Sequence, residues 1–253
     1  MAARRSNKRK RRNRGRFGFL YQFLSLVIIL VVVAAGCAVF FRVDQVTAVG
    51  GKRYTAEEIV AASGIQKGDN LLLLNRSRVV NQILTGLPYV DEVTPRRVLP
   101  DQVILTVTEC TPAAVVKGGE GYWVVDAKGK LLEQLPSAKQ AGVAVVTGIT
   151  ALLPSPGTKL QVDAEEKTKL QTLTQLLQAL SARGMMEKVD SIDLTGTATC
   201  VLGYDGRFTV KLPLSADFPY KMRVLEGIVG PLQPNEKGAI DLTREDRFYF
   251  DPQ

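Results

Sequence analysis

The chain has 253 residues, 33 Lys and Arg against 25 Asp and Glu, a net charge of +8, no histidine and three cysteines. Without histidine, no Ser-His-Asp or Cys-His arrangement and no His-containing metal site can be built. The excess charge is local: nine of the first sixteen residues are basic, leaving 33 − 9 = 24 basic side chains against 25 acidic ones, so the body carries no basic surface for a specific nucleic-acid partner.

The basic arm (residues 1–16, ending in RKRRNRGR) runs into LYQFLSLVIILVVVAAGCAVFF, 22 residues at 20–41 without a charge. At roughly 1.5 Å per residue this run reaches about 33 Å, the thickness of a hydrocarbon core of about 30 Å. A transmembrane helix is expected over 17–41, with Phe17, Phe19 and Tyr21 at one interface and Phe40 and Phe41 at the other. Nine cations are costly to translocate, so the arm is expected to stay cytoplasmic, with anionic lipid headgroups as a second contact, and residues 42–253 to lie outside. The apolar run exceeds the roughly 7–15 residues of a cleaved signal. Ala34-Ala35-Gly36-Cys37 also reads as a lipoprotein processing box, with Cys37 as the lipidated residue. Cys110 and Cys200 read as two buried free thiols, with a bridge as the alternative.

The first outer unit opens with a strand through Val43, Val46 and Val49. Thr55 and Glu58 form a capping box for a short helix ending at Gly64. Asn75 caps a second helix whose face holds Val79, Val80, Ile83, Leu84 and Leu87, stopped by Gly86 and Pro88. Two strands follow, at 89–97 and 102–109, the second alternating Val103, Leu105 and Val107 with mostly polar neighbours. Pro95 cannot donate to a ladder, so the first of these is expected at an edge or bulged there.

The order strand, helix, helix, strand, strand resembles a POTRA domain, specifically the membrane-proximal one of the bacterial division proteins FtsQ and DivIB. The stretches that carry the resemblance are FRVDQVTAVGGKRYTAEEIVAASGIQKGDNLLLL, LPYVDEVTPRRVLPDQVILTV and TECTPAAVV. Where that family usually has Glu-Arg before Pro-Ala, this chain has Glu109 and Cys110.

The second unit begins near Gly118. A hairpin is expected through Tyr122–Asp126 and 130–132 with Gly129 in its turn, then a short strand at 144–148. Asp163 and Glu166 are expected to cap a helix to Gly184 with Leu170, Leu173, Leu177 and Leu180 in its core. Strands at 191–194, 199–204 and 207–212 follow, the last two joined through Asp205-Gly206. Asp217-Phe218-Pro219 opens a helix carrying Tyr220, Val224, Leu225 and Ile228.

The expected fold is α+β: a single N-terminal transmembrane helix (17–41), a small POTRA domain of βααββ order (42–110), then a mixed β-rich domain with two or more helices (118–253). Residues 42–109 hold enough strands and helices for one small core. No Walker loop, no GxGxxG before a helix and no Ser-x-x-Lys is present, and neither enzyme activity nor a cofactor or metal is expected. The resemblance implies a single-pass scaffold of the division machinery at the septum, with FtsB/DivIC-type and FtsL-type proteins as partners. A second reading is an envelope-assembly factor or lipoprotein whose POTRA domain binds unfolded β-strands. The partner site is placed on the terminal strand, at Arg244, Arg247, Phe248, Tyr249 and Phe250. Alternation points Phe248 and Phe250 one way and leaves Tyr249 exposed. Proteins of the resembled family accept a partner segment on their last strands, and Arg244 and Arg247 would attract its acidic residues.

Overall fold

The structure, a computed structural model, describes residues 15–244 and 249–252; the basic arm through residue 14, Arg247 and Phe248 lie outside the described residues. Helix α1 (Gly15–Phe40) has 26 residues, about 39 Å at roughly 1.5 Å each. Its Phe19–Cys37 stretch has a mean hydropathy of 2.5 and is long and apolar enough to cross a membrane. None of that stretch is buried, so its apolar surface has no cover among the described residues.

The chain then builds β1 (Gln45–Val49), α2 (Ala56–Ser63), α3 (Arg76–Gly86), β2 (Val90–Val98) and β3 (Gln102–Glu109). The capping box forms as its sequence requires. Thr55 accepts from the Glu58 N–H at 3.2 Å, the Glu58 carboxylate accepts from the Thr55 N–H at 2.8 Å, and Gly64 ends α2 in the left-handed region. Asn75 caps α3 by accepting from Arg78 N–H at 3.2 Å. The sheet order is β1-β3-β2, with β1 parallel and β2 antiparallel to β3. Pro95 sits on the edge strand, as a residue without an N–H must, but the register shift lies at Val90/Glu92. Ile59, Val79, Ile83, Val103 and Leu105 close a core between the helices and this sheet.

A nine-stranded sheet follows in the order β12-β11-β10-β9-β8-β7-β4-β5-β6. Its strands are β4 (Pro112–Gly118), β5 (Gly121–Asp126), β6 (Leu131–Leu135), β7 (Ala144–Thr150), β8 (Val189–Asp193), β9 (Thr199–Tyr204), β10 (Phe208–Pro213), β11 (Gly238–Asp241) and β12 (Tyr249–Pro252). Strand β4 falls where the sequence reading left a gap between two units. Ala113 to Val116 are all buried, so the strand shows no polar alternation. Gly148 is required by close approach: its φ is +85° and a Cβ there would lie 2.3 Å from the Leu194 carbonyl carbon.

Helices α4 (Lys167–Ala182) and α5 (Phe218–Val229) share one core with this sheet. Leu173, Leu176, Leu177 and Leu180 are fully buried, each stabilising the fold by about 1.5–3 kcal/mol. The α4 start differs from expectation. Neither Asp163 nor Glu166 makes a side-chain cap: Ala164–Glu166 is a 3-10 turn, and the Glu166 carboxylate accepts the Thr150 N–H at 3.0 Å instead. Asp217 caps α5 through the Tyr220 N–H at 3.1 Å, with Pro219 in the first turn. Tyr220 itself is 42% exposed, while Lys221, at 3%, takes the buried side with Phe218 and Met222.

A third cluster, of Tyr89, Cys110, Val115, Val124 and Leu132, joins the two sheets. Around it, the Tyr89 hydroxyl donates to Glu133 at 2.5 Å and Arg53 donates to the same carboxylate at 3.3 Å while stacking 3.7 Å over the Tyr89 ring. Lys128 grips Asp91 through both oxygens at 2.7 and 2.8 Å, and Lys130 donates to the Val90 carbonyl at 2.6 Å.

Candidate functional site

The terminal strand β12 pairs antiparallel with β11, setting Phe250 opposite Ile240 and Tyr249 opposite Asp241. It is the last strand of the sheet order, so one of its two edges has no strand beside it among the described residues. Phe250 is half-buried and packs edge-on against Phe208 at 6.1 Å. Tyr249 is 51% exposed, on the opposite side of the strand. Arg244 is exposed in the connection that follows β11.

Two residues that the sequence reading missed hold this edge. Gly238 lets β12 come close: a Cβ there would lie 2.1 Å from the Asp251 carbonyl oxygen. Lys221 reads as a solvent residue of α5, yet its buried ammonium donates to the Arg244 carbonyl at 2.6 Å and ties the connection to the helix. The only signal in the sequence was its place beside Phe218 and Met222 on the apolar stripe. At the foot of the edge, Asp241 accepts from the Thr243 N–H and hydroxyl at 2.9 and 2.6 Å, and these bonds hold its carboxyl below the ordinary value.

The alternating β9 and β10 put Cys200, Leu202, Val210 and Leu212 into the helix-covered core and turn Thr209 and Lys211 outward. The side of the sheet away from α4 and α5 therefore stays polar and wet beside Tyr249. This is a surface for an added strand with a partly polar face.

The Asp91, Cys110 and Asp126 side chains come within 4.8 Å of one another at the joint. Protein donors already occupy the two carboxylates: Asp91 holds Lys128, and Asp126 accepts from the Lys128 and Lys130 N–H groups at 2.9 and 2.7 Å. Burial, foremost, pushes the Cys110 thiol up to about 12, which favours the protonated thiol in this packed position. Cys110 and Cys200 are both buried and unbridged. The neighbouring Glu109 accepts three backbone N–H groups, from Lys52, Arg53 and Tyr54 at 2.9–3.2 Å, closing the loop before α2.

Comparison with known proteins agrees with this architecture. A family model described as "POTRA domain, FtsQ-type" matches residues 41–109, and one described as "Cell division protein FtsQ/DivIB, C-terminal" matches residues 114–243. The second match includes β4 and ends just before Arg244. Cell division protein FtsQ of Geobacter sp. (strain M21) is 29% identical over 201 residues, covering 78% of this chain and 70% of the relative. The FtsQ of Syntrophotalea carbinolica is 26% identical over 209 residues, covering 80% and 70%. Cell division protein DivIB of Clostridium acetobutylicum is 25% identical over 156 residues, and the match spans 61% of that relative's length. With both units that follow the apolar helix matched in order, the chain belongs to the FtsQ/DivIB family of cell division proteins.

Proposed function

We propose that this chain is a single-pass, non-enzymatic scaffold of the bacterial division machinery that binds FtsB/DivIC-type and FtsL-type proteins at the septum. The observation that carries the partner site is the β12 edge: backbone groups without a neighbouring strand, an exposed Tyr249 and the Arg244 cation at one end. An extended partner segment would add beside β12, its backbone bonds giving affinity and its side chains meeting Tyr249 and the polar sheet face. Arg244, with Arg247, favours an acidic segment and acts mainly on the association rate. Phe250 serves this edge from the core side, and Phe248 belongs to the same proposed site. Helix α1 would span the membrane with the basic arm in the cytoplasm, setting both outer units outside. The arm's cations would rest against anionic headgroups.

Purification of the tagged full chain from dividing cells tests the reading. Small single-span division proteins copurify with the wild type and are lost when β12 is removed. An export-dependent reporter after Gln253 is active and one before Phe17 is silent. A reporter result of the opposite sign, or recovery of the same partners without β12, contradicts the proposal.

A further inference from the structure

We propose that the base of the first outer domain sits in the headgroup layer of the membrane, with Leu72, Leu73 and Leu99 immersed and Arg76, Arg96 and Arg97 facing lipid phosphates. This rests on the reading that α1 spans the bilayer.

Three separated stretches meet where the chain leaves α1. Leu71 N–H donates to the Phe41 carbonyl, Val43 N–H to Asp69 and Gly68 N–H to Val43, each at 2.8 Å, and Arg42 bridges to Asn70. The Asp44 and Gln45 N–H groups donate to the Asp101 carbonyl at 2.8 and 3.3 Å. Strands β1 and β3 are parallel and begin side by side, Gln45 opposite Gln102, so both run away from this end and the turn at 99–101 stays beside it. The opposite end of the domain carries Arg53 and Tyr89 to the joint with Glu133. The exit from the span and the loops at 68–74 and 99–101 thus form one base.

The fold leaves three apolar side chains of that base exposed. Of the four consecutive leucines, Leu71 is fully buried, whereas Leu72 is 43% and Leu73 83% exposed; Leu99 is 61% exposed. The conformation of the loop is held by Asn70, whose side-chain amide oxygen accepts from both the Leu72 and Leu73 N–H groups at 2.9 and 3.1 Å, bonds that do not depend on leucine side chains there. Three exposed leucines beside the end of an apolar helix extend the surface that the helix already gives to lipid. Arg76, Arg96 and Arg97 line one shallow recess at the same end, and Arg97 donates to the Leu74 carbonyl. Guanidinium groups held at that depth meet the phosphate layer, where bidentate pairing favours arginine. Lys67 is paired with Asp44 at 2.8 Å on this base, so the contact is a mixed rim around an apolar centre rather than a simple basic patch. Seated this way, the domain would hold one orientation to the bilayer, and through the joint the β12 edge would hold one height.

The test uses the full chain with Cys37→Ser, one copy per lipid nanodisc, and an environment-sensitive fluorophore on one introduced cysteine at a time. Cys110 and Cys200 are buried and do not compete for label. The labelled variants are Leu73→Cys, Leu99→Cys, Ile29→Cys within α1, and Leu153→Cys, a second-unit site that is 88% exposed. Labels at 73 and 99 are expected to shift to blue emission, to lose quenching by aqueous iodide and to be quenched by headgroup spin-labelled lipid, while the label at 153 stays open to iodide. Equal iodide access at 73, 99 and 153, with the label at 29 quenched by mid-chain spin label, overturns this proposal and leaves the span intact. A label at 29 open to water fells both. Shielding at 73 and 99 without quenching by labelled lipid means that protein covers the base, and also overturns it.

Discussion

The Tyr89–Glu133 contact is one of the bonds that join the two units after α1, and its strength follows from its surroundings. Tyr89 is 4% exposed and its hydroxyl reaches the Glu133 carboxylate at 2.5 Å. Burial first, and the carboxylate next, push the phenol well above its ordinary value, so it remains a donor at any pH the fold survives. A hydrogen bond to a charged acceptor contributes about 1.5–3 kcal/mol, and because the Glu133 side chain is 40% exposed the value belongs near about 1.5. The Arg53–Glu133 pair, with side chains 50% and 40% exposed, is screened by water and contributes about 0.2–1 kcal/mol. A double-mutant cycle of Tyr89→Phe with Glu133→Ala should therefore give a larger coupling energy than one of Arg53→Ala with Glu133→Ala. Urea unfolding of the full chain in detergent measures both, read by circular dichroism and by fluorescence of Trp123, the single tryptophan, buried in β5. Coupling near zero for Tyr89–Glu133, or the reverse ranking, would refute this account of the joint.

Three further outcomes follow from the core and its charges. Ile83→Ala and Leu105→Ala, both fully buried, should each cost about 2–5 kcal/mol and lower the melting temperature of the first unit after α1; an unchanged melt would put them on the wrong face. Burial raises the Glu109 carboxyl, but its three backbone donors together outweigh that and hold it below its ordinary value. Its stabilisation is complete above the unfolded carboxyl's ordinary value and is lost as pH falls from there through the depressed folded value, so Glu109→Gln should flatten the acid limb of stability against pH. Burial pushes the Cys110 and Cys200 thiols up to about 12 and about 11, so both should resist alkylation at mildly basic pH until the chain is unfolded, as mass spectrometry can count.

Local chemistry made the first unit after α1 legible. Thr55 with Glu58, Asn75, and the alternation of Val103, Leu105 and Val107 each act within a few residues, and each appears as written. Strand β4 was not legible because a strand buried on both faces has no period to read, and Ala113 to Val116 are apolar throughout. Asp163 and Glu166 carry the composition of a helix start, but the Thr150 N–H, distant in sequence, took the Glu166 carboxylate. The β12 site was half legible. Alternation separates Tyr249 from Phe250, but Gly238 and Lys221, which hold the edge in place, act across the sheet and from a helix. The joint through Tyr89, Arg53 and Glu133 links residues 44 and 80 positions apart and leaves no mark in any local pattern.

The claim at the centre of the account is that β12 receives a partner strand. Titration of the detergent-purified full chain with the outer segment of an FtsB/DivIC-type protein tests it most directly, comparing wild type, Tyr249→Ala and a chain ended at residue 248. That end point keeps the Arg244 carbonyl for Lys221 to bind. The account predicts that Tyr249→Ala weakens binding about tenfold, near 1.4 kcal/mol, at an unchanged melting temperature, and that the shortened chain does not bind. Wild-type affinity in both variants would make β12 a purely structural strand and place the interface elsewhere.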